Sequence, residues 1–156
     1  GAHQDHWSHA VWAWHFARGT KRLDRVAPAL CHWIGKTVGT LEDRTVLEFG
    51  SGHVLSEALV LWLAGAREVV ACDYNRLFRP TFARRAFLAA DRARLREALL
   101  GVAPAALVDE RLARLAALPR WTLPALENLG LAYRAPLSFA GAPPFRGAFD
   151  LIHSTA

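Results

Sequence analysis

The sequence contains no methionine and only two cysteines, Cys31 and Cys72. Two cysteines cannot build a disulfide framework, so a disulfide-rich secreted domain is excluded and a reducing, cytoplasmic setting is expected. Because translation starts with methionine, a chain that begins Gly-Ala-His and has none is expected to be processed, trimmed or partial.

Long apolar runs are also missing. No uncharged apolar stretch approaches the roughly 18 residues of a membrane span, and no charged-then-apolar signal segment opens the chain. We therefore expect no association with a membrane. A length of 156 residues allows one domain, which would bury roughly 70% of its unfolded surface.

Acidic residues are the minority among the charges, with 14 Asp and Glu against 19 Lys and Arg and a formal net charge of +5. A basic balance can indicate a surface that binds nucleic acid. Here the arginines are spread among acids and do not alternate with aromatic residues, which is typical of solvated helix faces. Nucleic acid is therefore not expected as a partner, and the charge pattern leaves the oligomeric state open.

The most informative stretch is residues 45–73, TVLEFGSGHVLSEALVLWLAGAREVVACD. Residues 45–49 are a short apolar run with β-branched members, which predicts a buried strand. The Gly-Ser-Gly at 50–52 allows a sharp turn, since glycine adopts backbone angles barred to other residues. Residues 54–64 predict a helix, and residues 67–73 predict a second strand. Such a unit places a nucleotide-like ligand at the carboxyl edge of a parallel sheet.

A family resemblance rests on these residues. Residues 46–52, Val-Leu-Glu-Phe-Gly-Ser-Gly, resemble the first motif of the class I S-adenosylmethionine-dependent methyltransferases, a strand that ends in an acid before Gly-x-Gly. Asp73 stands where those enzymes keep the acid that binds the cofactor ribose. Residues 149–154, Phe-Asp-Leu-Ile-His-Ser, are similar to their fourth-strand motif. From Leu41 onward, the resemblance implies an α/β, Rossmann-like, doubly wound parallel sheet that binds S-adenosyl-L-methionine.

The carboxylate of Glu48 decides between two cofactor classes. Dinucleotide-binding folds place a pyrophosphate at this turn, which a carboxylate would repel. S-adenosylmethionine instead brings a sulfonium and an ammonium group, which a carboxylate suits. The third glycine usual in the resembled family is Val54 here, and the dinucleotide pattern would require Gly or Ala at Leu55. A methyltransferase is therefore favoured over an NAD(P)-binding oxidoreductase half-domain.

The resemblance assigns cofactor contacts to the first strand, its turn and the end of the second strand. Glu48 would lie near the cationic groups, directly or through water. Gly50, Ser51 and Gly52 would offer bare backbone to the amino-acid half of the cofactor. Asp73, about 20 residues further on, would accept hydrogen bonds from both ribose hydroxyls. Nicotinamide and methionine-adenosine cofactors equally require such an acceptor.

Further candidates follow the second, third and fourth strands. Tyr74 would lie against the adenine face, although a packing tyrosine fits equally well. Ser138 or its neighbouring backbone would meet the adenine amino group. His153 and Ser154 would reach the cleft, and His153 is a weak candidate for a general base, the alternatives being a cofactor or substrate contact and a structural histidine.

Residues 1–40 are expected to form a helical cap before a cofactor-binding part at 41–156. Four histidines within residues 3–15 alternate with tryptophans, but no cysteine or acid cluster completes a ligand set. We therefore favour a lid or packing segment over a metal site and expect no metal. Residues 23–38 predict an amphipathic helix from apolar positions at i, i+3, i+4 spacing.

The second half of the chain predicts helices over residues 80–100 and 105–118, a short segment over 121–128, and strands over 131–135 and 148–152. The resembled family has a sheet of seven strands, and about four can be counted here. We therefore expect the chain to be truncated after the fourth strand. Alone it would be inactive and poorly soluble, because the edge of that strand is exposed.

Together these observations predict an S-adenosylmethionine-dependent methyltransferase that acts on a small-molecule or sugar-type acceptor. That acceptor class is what the resemblance implies for members that also lack the third glycine. The Asn/Asp-Pro-Pro-Tyr/Phe signature of enzymes that methylate exocyclic amines is missing. A non-catalytic Rossmann-like binding module is the remaining alternative.

Overall fold

The structure is a computed structural model that describes residues 22–137 and 147–154. Four consecutive helices separate the second strand from the third in this part of the chain, and the last two elements are strands. In chain order they are α1 (Leu23–Thr37), β1 (Thr45–Phe49), α2 (Ser56–Leu63), β2 (Glu68–Cys72), α3 (Pro80–Ala89), α4 (Arg92–Leu100), α5 (Ala105–Ala117), α6 (Leu123–Glu127), β3 (Leu131–Arg134) and β4 (Leu151–Ser154).

The strands form one parallel sheet in the order β3-β2-β1-β4. Val46 of β1 lies between Val69 of β2 and Leu151 of β4, and Val69 pairs in turn with Leu131 of β3. Parallel neighbours cannot be joined by tight turns, so helices run between them. The predicted fold class is confirmed as α/β with a partial, Rossmann-like parallel sheet.

Helix α2 is the centre of the core on one side of the sheet. Each of its residues is buried, including Ser56 and Glu57 in its first turn. A helix that is buried on every side, as α2 is, requires neighbours that cover it all round. The indole nitrogen of Trp62 donates a hydrogen bond to the Leu129 carbonyl at 2.8 Å, which satisfies the polar atom of this fully buried side chain.

The opposite side of the sheet has a smaller apolar cluster, made by Leu47, Val70, Cys72 and Ala132 with Phe49, Leu137 and Phe149 packed against them. Burial raises the pKa of the Cys72 thiol to about 12, and the charges of Asp73 and Glu48 add to this effect. The thiol is therefore protonated at neutral pH and is not a nucleophile. Cys72 is 0% exposed within β2.

The single helix predicted over residues 80–100 is wrong, because the structure has two helices there, α3 and α4. Between them Ala90 is extended, and the Asp91 side chain accepts a hydrogen bond from the backbone N–H of Arg94 at 3.1 Å. An aspartate in this position caps a new helix start. Apolar periodicity conceals the break, since Phe87 and Leu95 on either side of it both lie in the core.

The fourth strand also begins later than predicted, at Leu151 instead of 148. The reason lies at Asp150, whose carboxylate accepts a hydrogen bond from the Thr45 N–H at 2.7 Å. The N–H of Asp150 donates to the Thr45 carbonyl at 2.9 Å, so this residue joins the two strands at their start. The strand also ends later than predicted, at Ser154 instead of 152, so His153 and Ser154 lie within it.

Some predicted features lie outside the described residues, namely the histidine-rich segment 3–15 and Ser138. Within residues 22–137 and 147–154, no helix is long and apolar enough to cross a membrane. The same part of the chain contains no group of three or more His, Cys, Asp or Glu side chains that could hold a metal ion.

The turn before β3 supplies a test of the packing. Gly130 has a φ of +96°, and a Cβ atom there would lie 2.6 Å from the Arg67 carbonyl oxygen. Gly39 has a φ of +75°, but a Cβ atom there would meet nothing within 4 Å. We expect Gly39→Ala to lower the free energy of unfolding by about 1–2 kcal/mol through backbone strain alone. Gly130→Ala should cost about 3 kcal/mol or more, because it adds a clash.

Urea unfolding of both variants measures the difference. The carbonyl of Gly130 accepts the Val69 N–H at 2.8 Å, so the clash would also disturb the pairing of β2 with β3. Equal losses at the two glycines would show that the close approach to Arg67 does not exist.

Candidate functional site

The predicted glycine turn lies at the carboxyl end of β1, the strand between β2 and β4. Gly50 and Gly52 have φ angles of +82° and +65°, which favour glycine. A Cβ atom at Gly52 would meet nothing within 4 Å, so the space beside this backbone is open. The Ser51 hydroxyl donates to the Glu48 carbonyl at 3.4 Å, and the Gly50 N–H donates to the Cys72 carbonyl at 2.9 Å. The turn is thereby held against the end of β2.

Asp73 follows β2 directly and reaches the same turn. One oxygen of its carboxylate, Oδ1, accepts a hydrogen bond from the Gly52 N–H at 3.2 Å. The other, Oδ2, accepts one from the Tyr133 hydroxyl at 3.1 Å. Burial raises the pKa of Asp73, while these two hydrogen bonds act in the opposite direction. The structure therefore brings together the glycine turn and the acid that the sequence predicts for one site.

Tyr133 is a site residue that sequence reasoning missed. Its hydroxyl oxygen accepts hydrogen bonds from the backbone N–H groups of Leu77 and Phe78 at 3.0 and 3.3 Å. Its ring lies 5.3 Å from that of Phe78, centroid to centroid. A signal was present, because a tyrosine within a buried strand needs a partner for its hydroxyl. Nothing in the sequence identifies that partner as Asp73.

Glu48 lies inside β1 and is fully buried. Its register partners are Ala71 on β2 and His153 on β4. Because adjacent parallel strands present paired residues on the same face, Glu48 and His153 belong to the helix-covered side of the sheet. The structure thus places Glu48 beside His153, beneath the turn, and not on an open surface.

His153 is 7% exposed, and its ring packs edge-on against Trp33 of α1 at 5.3 Å between centroids. Its Nδ1 atom is buried and has no hydrogen-bond partner in the described part of the chain. Burial lowers the pKa of His153, against an opposing effect of the Glu57 charge. A neutral imidazole of this kind can accept a hydrogen bond or a proton from a ligand.

A cavity of about 520 Å³ opens between α1 and the end of β4. Val26, Leu30 and Trp33 supply apolar wall, while Glu57, His153 and Ser154 supply polar groups. This volume and this mixture are typical of pockets for small molecules. We name it the α1–β4 cavity.

The remaining predicted contacts are more exposed. Tyr74 follows Asp73 and is 69% exposed, so its ring is available to a ligand and is not part of the core. Ser154 is exposed at the end of β4, where it pairs with Phe49. Since the strands are parallel, both residues lie at the same carboxyl edge as the glycine turn.

No family model matches this chain, and no curated protein or solved structure is significantly similar to it. The geometry of the site is therefore the guide to its chemistry. That geometry combines an open glycine turn bound to a buried carboxylate with a cavity at the same edge of the sheet.

The lowered pKa of His153 predicts a dependence of stability on pH. Its ordinary value is 6.5, so the unfolded chain binds a proton where the folded chain does not. The stability contributed by the neutral form is complete above that value and is lost as the pH falls below it. We expect His153→Phe, which keeps a ring against Trp33, to reduce the loss of unfolding free energy between pH 6.5 and about pH 5.

Urea unfolding at several pH values measures this effect. His32→Phe is the matched control, since His32 is an exposed histidine of α1. It should retain the pH dependence of the unmodified chain. If both variants behave alike, the buried position of His153 is wrong.

Proposed function

We propose that this chain is the cofactor-binding part of an S-adenosylmethionine-dependent methyltransferase. The cofactor would lie over the carboxyl ends of β1 and β2, and a small-molecule acceptor would occupy the α1–β4 cavity. The observation that carries the proposal is the hydrogen bond from Gly52 to Asp73. It joins a ribose-binding acid to an open glycine turn at the edge of a parallel sheet, which is where such folds bind nucleotides.

The charges at the turn favour a cationic ligand over a diphosphate. Glu48 precedes the turn, and Glu57 stands in the first turn of the helix that follows it. The positive end of the α2 dipole, which binds phosphate in dinucleotide folds, is therefore already next to a carboxylate. A sulfonium and an ammonium group are attracted by the same arrangement.

When bound, S-adenosylmethionine supplies an activated methyl group. The side chains present here have to bind, align and exclude water. Asp73 would bind the ribose. The apolar wall of the cavity, which includes Trp33, would exclude water from the acceptor. Neutral His153, which lines the cavity, would accept the proton of a hydroxyl acceptor.

Titration with S-adenosylhomocysteine and with NAD tests the proposal. We expect S-adenosylhomocysteine to bind and NAD not to bind. Asp73→Asn should weaken the binding of S-adenosylhomocysteine about tenfold or more, because the amide is a poorer acceptor for two hydroxyls than a carboxylate. Isothermal titration calorimetry measures the dissociation constant of each ligand for the unmodified chain and for Asp73→Asn.

Asp91→Asn is the matched control, since Asp91 caps α4 and asparagine caps equally well. This variant should bind as the unmodified chain does. Tight binding of NAD would refute the choice of cofactor. Salt-dependent binding of RNA or DNA without any cofactor affinity would favour a non-catalytic module instead.

A further inference from the structure

We infer that Tyr133 is a positioning residue whose hydroxyl sets the orientation of the Asp73 carboxylate for the ribose. The inference rests on the proposed function for its ligand and on three hydrogen bonds for its geometry. The Tyr133 hydroxyl lies 3.1 Å from Asp73 Oδ2 and 3.0 and 3.3 Å from the backbone nitrogens of Leu77 and Phe78.

The hydroxyl proton of Tyr133 has a direction that its neighbours determine. Two N–H groups donate to the Tyr133 oxygen, from Leu77 and Phe78, so its lone pairs are used. The proton can then be donated to Asp73 at 3.1 Å or to the Asn75 carbonyl at 3.2 Å. A carboxylate is the stronger acceptor, because the hydrogen bond is assisted by its charge.

The carboxylate of Asp73 keeps acceptor sites for a ligand. An ionised carboxylate offers about four lone-pair sites, two on each oxygen. Gly52 uses one on Oδ1 and Tyr133 uses one on Oδ2. One site therefore remains on each oxygen, in an orientation that the chain itself determines. The two remaining acceptor sites match the two adjacent hydroxyls of a ribose in number.

The hydroxyl and the ring of Tyr133 make different contacts. The ring of Tyr133 packs against Phe78, and a phenylalanine would preserve that contact. The hydroxyl is the part that joins β3 to Asp73 and to the backbone after β2. Burial raises the pKa of Tyr133, so the hydroxyl keeps its proton at neutral pH. The neighbouring Cys72 thiol, with a pKa of about 12, also stays protonated.

Tyr133→Phe tests the role of the hydroxyl. It should raise the pKa of Asp73, because a donor that stabilises the charged form is lost. It should also weaken the binding of S-adenosylhomocysteine about tenfold. In an Asp73→Asn background the same substitution should have no further effect on binding, since Tyr133 affects the ligand through the Asp73 carboxylate. Carboxyl-carbon NMR and calorimetry give the two readouts.

Tyr74→Phe is the matched control, because it removes the hydroxyl of an exposed tyrosine next to Asp73. It should leave the pKa of Asp73 unchanged. An unchanged pKa of Asp73 in Tyr133→Phe, or an affinity loss that persists in the Asp73→Asn background, would overturn the inference. If the unmodified chain binds no S-adenosylhomocysteine, the proposed function fails, while the pKa measurement still decides the role of Tyr133.

A reciprocal measurement covers the case in which Tyr133→Phe does not fold. The charge of Asp73 and its hydrogen bond both raise the pKa of Tyr133. That pKa should therefore fall in Asp73→Asn, as followed by NMR of the ring carbon that carries the hydroxyl. A pKa of Tyr133 that stays the same would contradict the contact directly.

Discussion

The hydrogen bond between Gly52 and Asp73 is the interaction on which the site depends. It joins the turn after β1 to the end of β2, two elements that the helix α2 separates along the chain. It can form because the strands are parallel neighbours, so that their carboxyl ends meet at one edge. It also requires a turn in which the backbone N–H of Gly52 points toward Asp73. The positive φ of Gly52 allows such a turn.

Much of this arrangement is local in the sequence and could therefore be predicted from it. The strands β1 and β2, the glycine turn and the acid after β2 all lie within a single unit of fewer than thirty residues. Their apolar runs, glycines and carboxylates predict conformation and position without reference to distant residues. The structure confirms that residues 45–49 form a strand, and this strand lies between β2 and β4.

The errors and omissions come from contacts between distant residues. The start of β4 depends on Asp150 meeting Thr45, and no local pattern near 148 predicts that pair. Tyr133 was missed because its partner, Asp73, is distant in the chain. The break at Asp91 differs, since the capping signal is local, but it was hidden by an apolar pattern that continues across it. The methyltransferase itself stays a proposal that rests on charge and on the geometry of the turn.

The burial of both cysteines has a practical consequence. Burial raises the pKa of the Cys31 thiol to about 11, and that of Cys72 to about 12. Thiolates, not thiols, react with maleimides, so the native chain should react very slowly with such labels at neutral pH. In Tyr74→Cys the new, exposed cysteine would then carry a fluorophore at the edge of the site, and ligand arrival could be followed optically without replacing either native cysteine.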